Sequence, residues 1–388
     1  MKIAVIGARE IPAKQGEIER YCQELYPRIA QRGHKVDFYV QPKYHQFWFS
    51  TYRYHKIKVI SLFSIPGRHL NYLFNAALNT ICATFGNYDV IHIHGIAAAW
   101  FAWVPQLFSN SSIVVTCHYL DCQPAKWHRM FHWLLPRIEE TAVRNADEII
   151  VTSEALANYF LKKHGVFPQC IVNAPASYSS KQKDLDRKKA FGLEETKYIL
   201  YFGTFEPDQR LDLLVEAFQQ LQTDNWRLIL AGEIGHSIEY ASSLLGTVER
   251  QDNIIFTGAI RGSLLAELVR GAELFINPSE GNLASSMVML EAMREGIPVV
   301  ASDTIIHRKI LDRDRGLLFK SGQLDSLVAQ LKYAMTKPNL MLSRAKQAQT
   351  YIAVHHNWDR VTYKNLYLYL QLAPEVLVHT AKQQTFDH

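Results

Sequence analysis

Apolar and polar positions fall in blocks along the chain, and the blocks change period at regular intervals. MKIAVIGA, KVDFYV, IKVISL, DVIHIHG, SIVVTCH and EIIVTS are short, mostly apolar runs of the kind that form buried strands. Between them lie longer stretches with helical spacing of apolar residues: EIERYCQELYPRIAQRG, closed by Gly33, then HLNYLFNAALNTICATFG, then the region around PRIEETAVRNA. Strand and helix in alternation predict a parallel sheet with helices on both faces, and ligands then lie beyond the carboxyl ends of the strands. At those ends stand Gly7 through Gly16, His94 with Gly95, His118, and Ser153. His118 is the best single candidate for touching a ligand, because an apolar strand ends at it; a satisfied structural histidine is the competing reading. His92 shares a strand face with His94 and is expected to pack inside.

The pattern breaks between about 174 and 193, where APASYSSKQKDLDRKKAFG is polar and charged and reads as a linker leading into a short helix. A second alternation follows: KYILYFG, the helix LDLLVEAFQQL, WRLILAG, NIIFTG and the helix SLLAELVRGA. Its centre is NPSEGNLASSMVMLEAMREGIPVVASD, a loop and helix between two buried strands, with the helix stopping at Gly296. Ser285 and Ser286 stand where N-cap residues would. The free amides and positive dipole end of that helix suit an anion such as a diphosphate. Glu291 interrupts the apolar run from Met287 to Met293, so its carboxylate either reaches solvent between two packed faces or binds something.

Composition adds limits. A chain of 388 residues, 48% hydrophobic, can bury two substantial cores. No secretory signal is expected, since MKIAVIGA is a strand from its first residues, and the most apolar long stretch, IHIHGIAAAWFAWVPQLF, is too short to span a bilayer. A soluble or peripheral protein of the cytoplasm follows. Five scattered cysteines without a CxxC pair fit a reducing compartment. Cys117, His118 and Cys122 lack a second ligand cluster, so no metal site is expected. Residues 1–180 carry 18 Lys and Arg against 12 Asp and Glu, and the remainder 24 against 25. In the basic half, KYHQFWFSTYRYHKIK at 43–58 interleaves aromatic rings and cations, which suits an anionic membrane interface or acceptor; an ordinary solvated hairpin is the alternative. The modest charge has no nucleic-acid recognition motif beside it. GAREIPAKQG does not match GxGxxG, which removes the fingerprint of a nicotinamide or flavin enzyme.

Taken together, IPAKQGEIERYCQEL, YDVIHIHG, VVTCHYLD, ADEIIVTS, FGTFEPDQRLDLLVEAF, IIFTGAIRGSLLAEL, NPSEGN…MLEAMREGIPVVASD and RGLLF resemble the family 4 glycosyltransferases along nearly the whole chain. The opening is most similar to a bacterial branch with a GTRGIPAxYGGFE-like start, whose acceptors are often growing surface polysaccharides or lipid-linked sugars. The resemblance implies an α/β, GT-B fold of two Rossmann-like domains facing each other across a cleft. Residues 1–175 would form the acceptor domain, with a last helix at about 356–372 packing back on it. A linker at 176–193, a donor domain at 194–355 and a polar tail at 373–388 complete the chain. It further implies a nucleoside-diphosphate-sugar substrate, retention of configuration, and neither cofactor nor catalytic metal. A place at the inner face of the cell membrane is consistent with such acceptors. Carried over by position, His118 and Glu291 are the catalytic pair, with Glu291 on the donor ribose. Gly16, Ser285, Ser286 and Met287 lie by the diphosphate, and His94, His118 and Asp121 on the acceptor side.

Departures from the family pattern gather on the donor site. The basic pair expected after the first strand of the second domain falls on Thr204 and Gln209, leaving the neighbouring Arg210. The first member of the paired-glutamate motif falls on Leu283, with Glu280 the nearest substitute, and the second glycine of the usual GG is Glu17. Each lost charged hydrogen bond weakens binding by about 1.5–3 kcal/mol. Two readings therefore stand: an active transferase with a rebuilt phosphate site, or a catalytically impaired relative serving as a partner or carbohydrate-binding subunit. Arg210, Arg261 and Lys320 are the cations available to a rebuilt site.

Overall fold

The computed structural model describes residues 1–13, 16–41, 49–65, 68–122, 132–176, 193, 196–235, 237–248, 251–281 and 287–374. The chain divides into two compact units, Met1–Asn173 with Trp358–His388, and Ala174–Asn357. Ser285 and Ser286, residues 177–192 of the expected linker, residues 43–48 of the aromatic segment and most of the expected tail lie outside the described residues.

In the first unit β1 (Lys2–Ile6), α1 (Glu17–Gln31), β2 (Lys35–Val40), β3 (Ser50–Tyr54), β4 (Ile57–Ser61), α2 (Arg68–Thr84) and β5 (Val90–His94) come in order. A 3-10 turn at Ala98–Phe101, α3 (Trp103–Phe108), β6 (Ser112–Cys117), α4 (Leu135–Asn145), β7 (Glu148–Val151), α5 (Glu154–His164) and β8 (Gln169–Cys170) follow. The sheet order is β3-β4-β2-β1-β5-β6-β7-β8. All pairings are parallel except β3 with β4, so the sheet is parallel with one antiparallel edge rather than parallel throughout. That edge comes from the 43–58 segment: its described part forms a hairpin, and Tyr52 Oη donates to the carbonyl of Ile11. The central strands are buried on both faces, which explains why they read as apolar runs without alternation. The helix Trp358–Leu372 belongs to this unit and lies against α1, with the rings of Trp358 and Tyr21 5.4 Å apart and Arg32 3.0 Å from Asp359.

The second unit carries β9 (Lys197–Phe205), β10 (Trp226–Ile234), β11 (Ile254–Gly258), β12 (Leu274–Asn277), β13 (Val299–Ser302) and β14 (Leu317–Phe319), in the parallel order β11-β10-β9-β12-β13-β14. Its core gathers Tyr201, Phe205, Phe218 and Phe319 with aliphatic residues from the strands and helices. The helix Met287–Arg294 follows β12, and Gly296 ends it at φ 76°.

Each sheet reverses its winding once, between β1 and β5 in the first unit and between β9 and β12 in the second. Chains leaving neighbouring strands in opposite directions open a crevice there, the usual ligand position of such sheets. Glycine is required at the first, where a Cβ on Gly7 would lie 2.0 Å from the His94 carbonyl oxygen; in the second unit a Cβ on Gly232 of β10 would lie 1.8 Å from the carbonyl oxygen of Gly203 on the neighbouring β9.

Candidate active site

At the switch point of the first unit, β5 delivers His92 and His94 to the α1 side of the sheet, and β6 delivers His118. All three rings are buried. Tyr26 Oη of α1 lies 2.9 Å from His92 Nδ1 and 2.5 Å from His94 Nε2. Tyr369 from the last helix also meets His92 Nδ1, and His92 Nε2 lies 2.6 Å from Thr116 Oγ1. His94 Nδ1 and His118 Nε2 are 2.9 Å apart. Burial holds His92 and His118 down at about 3 and His94 well below the ordinary histidine range, so all three imidazoles are neutral at physiological pH.

Neutral rings carry one N–H each, and the His94–His118 contact can be satisfied in two ways. Either His94 Nδ1–H donates and His118 keeps its proton on Nδ1, or His118 Nε2–H donates and its Nδ1 is a bare acceptor. That Nδ1 is buried and has no hydrogen-bond partner among the described residues. It is the polar atom available to a ligand hydroxyl. Asp121 stands on the same edge, its Oδ2 accepting from Ala97 N at 3.1 Å. A Cβ on Gly95 would lie 2.9 Å from that oxygen. His94, His118 and Asp121 are thus gathered at the ends of β5 and β6. Gly16, at φ 86°, precedes α1.

Glu17 Oε1 accepts from Asn173 Nδ2 at 2.7 Å, so its charge is already engaged within the unit. A second carboxylate stands in the same first turn of α1. Glu19 is buried, accepts from Arg9 N at 2.9 Å, and has its carboxyl pKa raised chiefly by desolvation.

In the second unit, Thr204 is exposed near the end of β9, and its carbonyl accepts from Tyr201 Oη at 2.9 Å. Gln209 closes a 3-10 turn, Pro207–Gln209, with its Oε1 3.4 Å from the same hydroxyl. Arg210 follows in the left-handed region, φ 49°, just before the helix Leu211–Gln220 rather than inside it. Its guanidinium is paired with Glu280, from the loop after β12, and with Asp212 at 3.4 Å. The Glu280 amide donates to the Asp208 carbonyl at 2.9 Å, which ties the two switch-point loops together. A Cβ on Gly322 would lie 3.0 Å from Glu280 Oε1, so the loop carrying the exposed Lys320 adjoins this pair. Arg261 is paired with Glu233. Two of the three expected cations are therefore held by carboxylates of their own unit.

Met287, almost wholly buried, opens the helix that contains Glu291. Glu291 is 0% exposed, and Oε1 accepts from the Ala176 amide at 3.3 Å. Arg294, one turn on, donates to the Ala176 carbonyl. The carboxylate that interrupts the apolar run thus grips the backbone where the chain enters this unit. Beneath the Glu280 loop lies a scaffold that sequence reasoning missed. Ser302 Oγ donates to the Ser279 carbonyl, and His307 Nδ1–H donates to the Ser302 carbonyl at 2.9 Å. This leaves Nε2 facing Asn277 Nδ2 at 3.4 Å, and burial lowers the His307 pKa to about 4. Tyr26, Tyr369 and Glu19 were missed as well. Polar groups within the buried stripe of α1 were the available signal for Tyr26 and Glu19. Among the described residues, no group of His, Cys, Asp or Glu is placed to hold a metal ion.

Residues 18–173 match the family model "Glycosyltransferase Family 4", and residues 182–351 match "Glycosyl transferases group 1". The chain belongs to family 4 of the glycosyltransferases. The phosphatidyl-myo-inositol mannosyltransferase of Mycobacterium leprae is 29% identical over 163 residues, which take in 40% of this chain and 42% of that protein. Sucrose-phosphate synthase from Thermosynechococcus elongatus superposes with a TM-score of 0.80 at 21% identity, over 96% of this chain and 99% of its own. Anabaena HepE, solved in complex with UDP and glucose, gives 0.75 at 17% identity, over 95% and 99%. At these identities the structural likeness is one of fold, and the fold is GT-B.

Proposed function

We propose that this glycosyltransferase moves a hexosyl group from a nucleoside-diphosphate sugar to a saccharide or lipid-linked saccharide, in the synthesis of a surface polysaccharide or glycoconjugate. Transfer proceeds with retention and without a catalytic metal. The observation that carries the reading is the meeting, at the switch point of the second unit, of the loops that bear Arg210 and Glu280, joined by the ion pair of those two residues and by the Glu280 amide on the Asp208 carbonyl. Anions bind at such crevices, where helix amides and a guanidinium face outward. In the reaction the bond between the anomeric carbon and the diphosphate oxygen breaks and a bond to the acceptor oxygen forms on the same face. The acceptor proton passes to the departing diphosphate. Amides near Met287 and the Arg210 charge stabilise that leaving group. Glu291 bonds the donor ribose, and His118 Nδ1 meets a hydroxyl of the transferred sugar or acceptor, with His94 and Asp121 beside it.

A second reading has its own support. Arg210 and Arg261 are already paired with carboxylates, which leaves the diphosphate position poor in free cations and favours a non-catalytic partner or carbohydrate-binding subunit. Calorimetric titration of the intact protein with UDP, GDP, ADP and their sugar conjugates separates the two. UDP is the first to try, being the nucleotide found with HepE. Saturable binding of one nucleotide, weakened in Glu291→Gln, supports the transferase. No binding by any of them to folded protein rejects it in favour of the second reading.

A further inference from the structure

The side of the ring on which His118 carries its proton is decided by groups that lie behind it. A neutral imidazole, a phenol and an alcohol have one mobile proton each, so in a closed cluster the place of one proton fixes the place of the next. Inside the first unit Thr116, His92, Tyr369, Tyr26, His94 and His118 form such a chain of contacts. All are buried, with His118 at 1% exposed and the others at 0%. Burial pushes both phenols well above their ordinary value, so each keeps its proton. A bare imidazole nitrogen, whose conjugate acid has a pKa of about 6.5, is far more basic than a phenol oxygen. Each tyrosine–histidine contact is therefore stronger when the O–H donates to the ring.

Tyr26 Oη has one proton and two imidazole neighbours, His94 Nε2 at 2.5 Å and His92 Nδ1 at 2.9 Å. Tyr369 Oη decides between them. It also meets His92 Nδ1, by the shorter of that atom's two contacts, and its proton occupies the single lone pair there. His92 then carries its own proton on Nε2, against Thr116 Oγ1 at 2.6 Å. The Tyr26 proton goes to His94 Nε2. A ring that accepts at Nε2 has its own proton on Nδ1, and that proton is donated to His118 Nε2 at 2.9 Å. His118 accepts in turn and keeps its proton on Nδ1, the buried atom with no partner among the described residues.

We propose that Tyr26, committed to His94 by Tyr369, is a positioning residue that fixes His118 as the Nδ1–H tautomer, so that the site offers its ligand a donor. An N–H at this point recognises the lone pair of an oxygen, a hydroxyl or ether oxygen of a sugar, and takes up no proton through Nδ1. The acceptor proton then passes to the departing diphosphate and not to this imidazole. Each bond of the chain polarises the next, which strengthens the terminal donor. Tyr369 comes from the helix Trp358–Leu372, so the tautomer is set once that helix has packed on α1. The sugar as ligand rests on the transferase reading above; the proton position does not.

The test is a long-range 1H–15N correlation spectrum of the intact protein, labelled with 15N-histidine and free of substrate, the His118 signals being those missing from His118→Asn. The parent should show His118 with Nδ1 protonated and Nε2 bare. Tyr26→Phe should convert this single form into comparable populations of the two tautomers. Tyr369→Phe should move the populations in the same direction, because His92 Nδ1 then competes for the Tyr26 proton. A bare Nδ1 in the parent, or an unchanged tautomer in folded Tyr26→Phe, overturns the assignment, and no change in Tyr369→Phe overturns the part given to the last helix. A Tyr26 that served packing alone would lower the melting temperature and leave the ring signals in place. Since the spectra need no donor, absence of nucleotide binding would reject the transferase reading without touching the proton assignment.

Discussion

Lowering the pH from about 7 to 5 should destabilise the first unit well before the second. A histidine ordinarily titrates near 6.5, whereas burial holds His92 and His118 at about 3 and His94 lower still. Above 6.5 neither the folded nor the unfolded state binds protons at these rings. As the pH falls through 6.5 the unfolded chain takes up protons that the folded unit refuses, and stability declines until the folded values near 3 are reached. Each group costs about 1.4 kcal/mol per pH unit in that window, hence about 2 kcal/mol between pH 7 and 5 and about 6 for three. This is comparable with the whole stability of a domain. Glu19 and Glu148, whose carboxyls are raised chiefly by burial, act in the opposite direction, but they are two groups against three. The second unit has His307 at about 4 and so loses only about 2 kcal/mol over the same span. Hydrogen exchange read by mass spectrometry on the intact chain resolves the two units. Protection should fall first in the strands around His92 and His118, and His118→Asn should reduce the pH dependence by about a third. Parallel loss of protection in both units would refute the neutral, buried state of the cluster.

Glu280→Gln removes the nearer of the two carboxylates on the Arg210 guanidinium and leaves Asp212, breaking a partly exposed ion pair that itself contributes no more than about 1 kcal/mol. UDP affinity should rise by about tenfold; a fall measured by calorimetry would make Glu280 a donor contact instead of a counter-charge. Glu291→Gln should keep the melting temperature within a few degrees and weaken nucleotide binding. Glu291→Ala, which empties a fully buried site and strands the Ala176 amide, should cost the second unit about 2–4 kcal/mol in a denaturant titration. If the two variants are equally stable, the buried carboxylate does not support the fold. Thr204→Arg together with Gln209→Lys restores the family's cations on an exposed and a half-buried position. The pair should tighten UDP binding by at least about tenfold, and unchanged affinity would mean that the diphosphate lies elsewhere.

The central strands were legible because parallel strands buried on both faces are continuous apolar runs, and the helices that were read repeat their apolar residues at helical spacing; the edge strand β3, the two-residue β8 and the helices Glu154–His164, Ile238–Val248, Leu324–Thr336 and Pro338–His355 were not read. The end of α1 near Gly33 and the stop at Gly296 were legible for a local reason too, since a chain leaving a helix through positive φ calls for glycine. His118 at a strand end and Glu291 in an apolar run stood out because both types are out of place where they occur.

What the sequence by itself determined, then, was the order of elements, the family and the positions at which polar residues meet the ends of strands. The partners of those residues depended on tertiary structure. Tyr26 and Tyr369 reach the histidines from 66 and 277 residues away, and Glu280 reaches Arg210 across 70. Such contacts follow from strand order and helix packing, not from spacing along the chain. The same holds for α2. Its residues read as a helix in either orientation, and only the packed unit decided that Asn71, Asn75 and Asn79 are buried while Phe74 and Ile81 face outward.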